Sequence, residues 1–227
     1  MKKLWLILLV GSLGIGTLFA DEKVTERLAN SAKVFGEIMS APDKAIPRDL
    51  LNKAECVAII PSMKKAGFIA GARYGKGMIS CRNNAKTAWG APAMVILEGG
   101  SFGLQIGGAA VDVVLLIMNR SGIDSLLSSK VTLGGDASVA GGPVGRATTA
   151  ETDAAMKAKV LSYSRSQGVF AGLELKGSTL RQDKDADKAL YGKELQARVI
   201  LTPGKVAVPA AAKPVIKVLT KYSPRGK

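Results

Sequence analysis

The sequence predicts an α+β fold: a curved antiparallel sheet or partly closed β-barrel, preceded by an amphipathic helix and packed by short helices. Three observations carry this. Residues 21–40 repeat their apolar side chains at helical spacing. From Cys56 onward the pattern changes to short apolar runs separated by glycine, of which the chain has 26. The links between those runs are too short for the crossovers that parallel strands require.

The first helix places Val24, Leu28, Phe35 and Ile38 on one stripe and Lys23, Arg27 and Lys33 elsewhere. It ends before Pro42, because proline disfavours helical backbone in the residue before it. Pro47, whose fixed φ suits a first helical position, opens a second short helix carrying Leu50, Leu51 and Ala54. Strands are expected at Cys56–Ile60, Phe68–Tyr74, Gly77–Arg82, Ala93–Leu97, Phe102–Ile106, Val111–Met118, Val131–Val139, Val160–Arg165 and Val169–Leu175. Two helices, near Ser121–Ser129 and Ala186–Tyr191, interrupt the series.

The ends differ from this middle. Lys2 and Lys3, the apolar run Leu4–Leu13 and the small Ala20 form a secretory signal peptide pattern over residues 1–20, which predicts export to a periplasmic or extracellular compartment. Losing it lowers the formal charge from +14 to +12. Residues 203–227 hold no acid, six basic residues and four prolines, which predicts an extended basic tail. The domain proper is then residues 21–202, with a modest excess of about +6.

Composition removes many chemistries. The chain has no histidine, which excludes Ser-His-Asp and Cys-His catalysis, His-ligated metal and an imidazole switch. Two cysteines cannot build a four-thiolate metal site. Gly99-Gly100-Ser101-Phe102-Gly103 fits a nucleophile elbow in letters only, since no His base exists. Gly71-Ala72-Arg73-Tyr74-Gly75-Lys76 is one residue short of a P-loop. Asp183, Asp185, Asp187 and Glu194 have calcium-loop spacing, but Lys188 stands where the turn needs glycine, so capping of a short helix is the better account. No enzyme activity, cofactor or metal is expected. Cys56 and Cys81 lie in separate predicted strands, where they are either two buried thiols or a disulfide; export favours the disulfide.

The succession Ala54-Glu55-Cys56-Val57-Ala58-Ile59-Ile60-Pro61, Gly75-Lys76-Gly77, Cys81-Arg82, Trp89-Gly90-Ala91-Pro92, Gly103-Leu104-Gln105-Ile106-Gly107-Gly108, Gly141-Gly142-Pro143-Val144-Gly145-Arg146 and Ser162-Tyr163-Ser164-Arg165-Ser166-Gln167-Gly168-Val169-Phe170-Ala171-Gly172 resembles the SYLF domain family over roughly residues 30–195. The resemblance implies a lipid-binding module with affinity for anionic phospholipid, phosphoinositides in eukaryotic relatives. Its yeast actin-patch member also binds actin, a partner not expected in an exported protein. The cysteine pair is similar to that of the exported bacterial branch, which supports the disulfide.

Chemistry then selects the lipid-contacting candidates. Lys64, Lys65, Arg73, Lys76, Arg82 and Arg146 fall beside glycine-rich turns, where side chains and backbone N–H groups can converge on phosphate. Lys23, Arg27 and Lys33, with Phe35 and Ile38, form a helix suited to interfacial insertion. A competing expectation is a structural envelope protein whose basic tail binds peptidoglycan or lipopolysaccharide phosphates. Nucleic acid is not expected as a partner.

Overall fold

The computed structural model describes residues 15–41, 45–67, 70–83, 85, 87–102, 107–119, 130–144, 157–166, 169–173 and 175–224. The elements are α1 (Ile15–Ser40), α2 (Arg48–Lys53), β1 (Cys56–Gly67), β2 (Ala70–Cys81), β3 (Ala93–Phe102), β4 (Gly107–Ile117), β5 (Lys130–Thr132), β6 (Val139–Gly141), β7 (Val160–Ser166), β8 (Val169–Gly172) and β9 (Ser178–Gln182). After them come α3 (Lys184–Tyr191), α4 (Ala197–Leu201), a 3-10 turn (Ala210–Ala212) and α5 (Lys213–Tyr222). The architecture is α+β, with the strands curled into a half-barrel. Among the described residues no helix is long and apolar enough to cross a membrane.

The sheet runs in the order β5-β9-β3-β2-β1-β4-β7-β6, with β8 also paired to β7. Its ladders are antiparallel except for β6 against β7, which is parallel. That departs from the all-antiparallel expectation. The connection between those two strands, residues 142–159, has the dozen or more residues that a parallel return demands.

Side-chain alternation sends the strands into two cores. Val57, Ile59, Met78, Met94, Val114, Leu116, Leu161 and Tyr163 face the helical layer, where Val24, Leu28, Phe35 and Ile38 of α1 meet Leu50 and Leu51 of α2 and Val215 and Leu219 of α5. Ala58, Ile60, Met63, Ile79, Val95, Leu97, Val113 and Leu115 face the other way, against Ile200 and Leu201 of α4. A sheet buried on both faces needs apolar residues at consecutive positions, which is why Cys56–Ile60 and Val113–Ile117 read as unbroken apolar runs.

Three expectations change. The runs Phe68–Tyr74 and Gly77–Arg82 are, in their part from Ala70 to Cys81, one strand, β2, with Phe68 and Ile69 outside the described residues; the glycines between them are a packing requirement rather than a turn. A Cβ on Gly77 would lie 2.1 Å from the carbonyl oxygen of Ile59. The close approach accompanies a bulge in β1 between Ile59 and Lys64, where Ser62 adopts φ 49°. The segment 203–227 is not an extended tail through its described part. Pro214 occupies the first turn of α5, where its missing N–H costs nothing, and Val215 and Leu219 are fully buried against α1. The apolar stripe of α1 is likewise committed to the core, with Phe35 and Leu28 at 0% exposure, so it does not face a membrane in this fold. The expected helix at Ser121–Ser129 lies outside the described residues.

Candidate functional site

The outer part of the central strands presents a basic sheet face. Register sets Lys64 of β1 opposite Tyr74 of β2, Tyr74 opposite Glu98 of β3, and Glu98 opposite Thr179 of β9. Two residues along, Lys76 stands opposite Ile96, Ile96 opposite Arg181, and Arg181 opposite Lys130 of β5. Residues at i and i+2 of a strand share a face, so Lys64, Tyr74, Lys76, Arg181 and Lys130 form two adjacent rows on one side of the sheet. Tyr74, at 43% exposure, is one of two exposed large apolar side chains among the described residues.

Local pairing holds this face in shape. Arg181 donates a forked pair to Glu98, Nε to Oε1 at 2.7 Å and Nη2 to Oε2 at 3.2 Å. Hydrogen bonding to Arg181 lowers the Glu98 pKa, and the same contact raises that of Arg181. Lys76 approaches Asp183 at 3.5 Å, and Arg27 of α1 donates to the same carboxylate at 2.9 Å. Asp183 also caps α3 by accepting from the Ala186 N–H, the capping role expected from the sequence.

The opposite sheet face is different. Lys65 stands directly across from Arg73, and burial first, then the nearby Arg73 charge, lowers the Lys65 pKa. The next row on this face carries only small residues, Gly107, Gly67, Gly71 and Ser101.

The nine expected lipid contacts therefore separate. Lys64 and Lys76 share the basic face; Lys65 and Arg73 share the reverse one. Lys23 and Lys33 are exposed on α1. Arg27 is tied to Asp183 with its side chain only 15% exposed. Arg82 is buried, 4% exposed, and its guanidinium lies over Trp89 and bonds the backbone of Ala54 and Ser223, so it faces the protein interior rather than an external phosphate. Arg146 lies outside the described residues. Sequence reasoning missed Tyr74, Lys130 and Arg181. The alternation Arg73-Tyr74-Gly75-Lys76 carried the signal for Tyr74, since period two puts it beside Lys76 and away from Arg73.

Asp187, one turn after Asp183, is fully buried and accepts from the Met94 N–H at 2.7 Å and from Gln182 Nε2 at 2.6 Å. Burial outweighs these bonds and pushes its pKa up to about 7 from 3.8. The folded state thus holds this proton more tightly than the unfolded chain does. The contribution is fully present below about pH 4 and is lost as pH rises through about 7. Urea titrations across that window are expected to show stability falling with pH for the parent chain and a flatter profile for Asp187→Asn; a difference between the two that stays constant with pH would sink the assignment.

A family profile described as "Ysc84: Las17-binding protein actin regulator" matches residues 98–222. The chain belongs to the Ysc84 family. The match covers Glu98, Lys130, Arg181 and all of α5, and it establishes the resemblance seen in the SYLF segments. Among curated relatives, an SH3 domain-containing protein of Schizosaccharomyces pombe is 37% identical over 179 residues, 78% of this chain and 41% of its own length. "LAS seventeen-binding protein 3" of Saccharomyces cerevisiae is 34% identical over 200 residues, 87% of this chain and 42% of its own. The human "SH3 domain-containing YSC84-like protein 1" is 32% identical over 201 residues, 87% of this chain and 58% of its own. The chain thus spans roughly two to three fifths of these Ysc84-family relatives.

Proposed function

We propose that this Ysc84-family domain is a non-catalytic module that binds the surface of anionic phospholipid through the sheet face of Lys64, Tyr74, Lys76, Lys130 and Arg181. The supporting observation is the grouping itself: cations on four strands surround an exposed tyrosine, and only Glu98 in their two rows opposes them. A tyrosine ring suits the headgroup level of a bilayer, apolar body inward and hydroxyl in water. Basic side chains near such a surface contribute about 1 kcal/mol each. We propose further that residues 1–20 direct export and that Cys56 and Cys81 are bonded in that oxidising compartment.

Co-sedimentation with phosphatidylglycerol vesicles, against phosphatidylcholine vesicles, tests the lipid reading. Binding to the anionic vesicles alone is expected, weakened by roughly thirtyfold or more in Lys64→Glu/Lys76→Glu. Equal pelleting of parent and variant would sink the proposal. Deleting residues 203–227 is no substitute, because α5 is part of the core.

The names of the relatives favour a second reading. The family description and the yeast protein's name refer to Las17 binding and actin regulation, so an actin-related partner is a proposal for this chain too. Pelleting with actin filaments, unaffected by the vesicle-directed variant, would support it.

A further inference from the structure

The last helix has two seams. Its inner seam, Val215, Leu219 and Tyr222, packs towards α1, with Tyr222 edge-on to Phe35 at 6.3 Å between ring centroids. Its outer seam is Lys213, Ile216, Lys217, Thr220 and Lys221, the i, i+3, i+4, i+7, i+8 spacing by which one helix meets another. An open furrow runs along that seam, floored by Ile216 and by Val208 from the preceding segment and walled by the three lysines and Thr220. All three lysines are exposed, and no acidic residue follows Glu194 in the sequence.

We propose that this furrow docks an acidic amphipathic helix of a partner protein. Lysines four residues apart repeat every 6 Å or so along the axis, about one helical turn. Carboxylates at i, i+4 and i+8 of a second helix repeat at the same pitch, so charge and spacing match together, and an apolar residue between the carboxylates meets Ile216 and Val208. A bilayer fits this face less well. The apolar residues here form a recessed floor, both half-buried, whereas insertion needs side chains that protrude.

The probe is an alanine-based stapled helix with glutamates four residues apart and leucines interleaved, titrated into the full chain beside a control of the same composition with contiguous glutamates. The spaced peptide is expected to bind about tenfold tighter, the sum of several exposed pairs. Lys213→Glu/Lys217→Glu abolishes that preference, and a peptide with lysines at the glutamate positions restores binding to the variant. Lys64→Glu/Lys76→Glu leaves peptide binding unchanged, which keeps this test separate from the lipid one. Equal affinity for the two peptides overturns the proposal. So does a charge-reversed α5 that loses phosphatidylglycerol vesicles and not the peptide, which would make the furrow a bilayer contact.

Discussion

Replacing Arg82 with alanine is expected to cost about 3 kcal/mol of stability, the upper range for removing a charged donor and leaving its buried acceptors unpaired. The guanidinium closes the end of the fold remote from the basic sheet face. It lies 4.0 Å from the Trp89 ring centroid, donates through Nε to the Ala54 carbonyl at 3.2 Å, and donates through Nη2 to the carbonyl of Ser223 and to its hydroxyl. Trp89 donates to the same Ser223 carbonyl at 3.1 Å, and the Ser223 hydroxyl meets Asn52 Oδ1 at 2.6 Å. One side chain thus joins the end of β2, the end of α2 and the residue after α5. Burial draws its pKa down to about 10, opposed by the nearby Glu55 charge. Alanine would leave the Ala54 carbonyl without its side-chain donor and remove the cation from the Trp89 face. Arg82→Lys keeps the charge but not the planar fork, and is expected to recover only part of the loss. Urea midpoints within about 1 kcal/mol of the parent for the alanine variant would contradict this account.

The contrast between Arg82 and Lys76 shows which parts of the molecule the sequence disclosed. Both stand in β2 or directly after it, both are basic, and both border glycine or cysteine; only tertiary context buries one and exposes the other. Local signals were legible where the determining physics is local. The stripe of α1 was visible in Val24, Leu28, Phe35 and Ile38, and the acidic run from Asp183 to Asp187 was legible as the capped start of a short helix. Signals that depend on register were not. Arg181 and Lys130 join Lys76 only because β9 and β5 add to the far side of β3, a pairing across about a hundred residues. The prolines of 203–227 misled for a related reason: Pro214 breaks a helix in the interior and helps one in its first turn, and composition does not distinguish the two.

Reducing the Cys56–Cys81 pair, or replacing both residues with alanine, is expected to lower stability by about 3.5 kcal/mol, the chain-entropy value for a loop of this length. The residues are 25 apart in sequence and directly opposite in the β1–β2 register, Cα to Cα 4.0 Å, with their sulfurs 2.00 Å apart. Their side chains are 0% and 5% exposed. A reductant therefore has little access while the hairpin stays folded, and thiol release under native conditions should be slow and should accelerate in denaturant. The pair sits at the same end of the hairpin as Arg82 and Trp89, whereas Lys64, Tyr74 and Lys76 lie towards the other. If the basic face binds lipid as proposed, the two ends act separately. A Cys56→Ala/Cys81→Ala chain that remains folded at low temperature should still pellet with phosphatidylglycerol vesicles, while its urea midpoint drops. Two free thiols in the untreated protein, or equal midpoints with and without reductant, would remove the bond from the account. Vesicle binding lost in a demonstrably folded variant would instead tie the hairpin's disulfide end to its basic face.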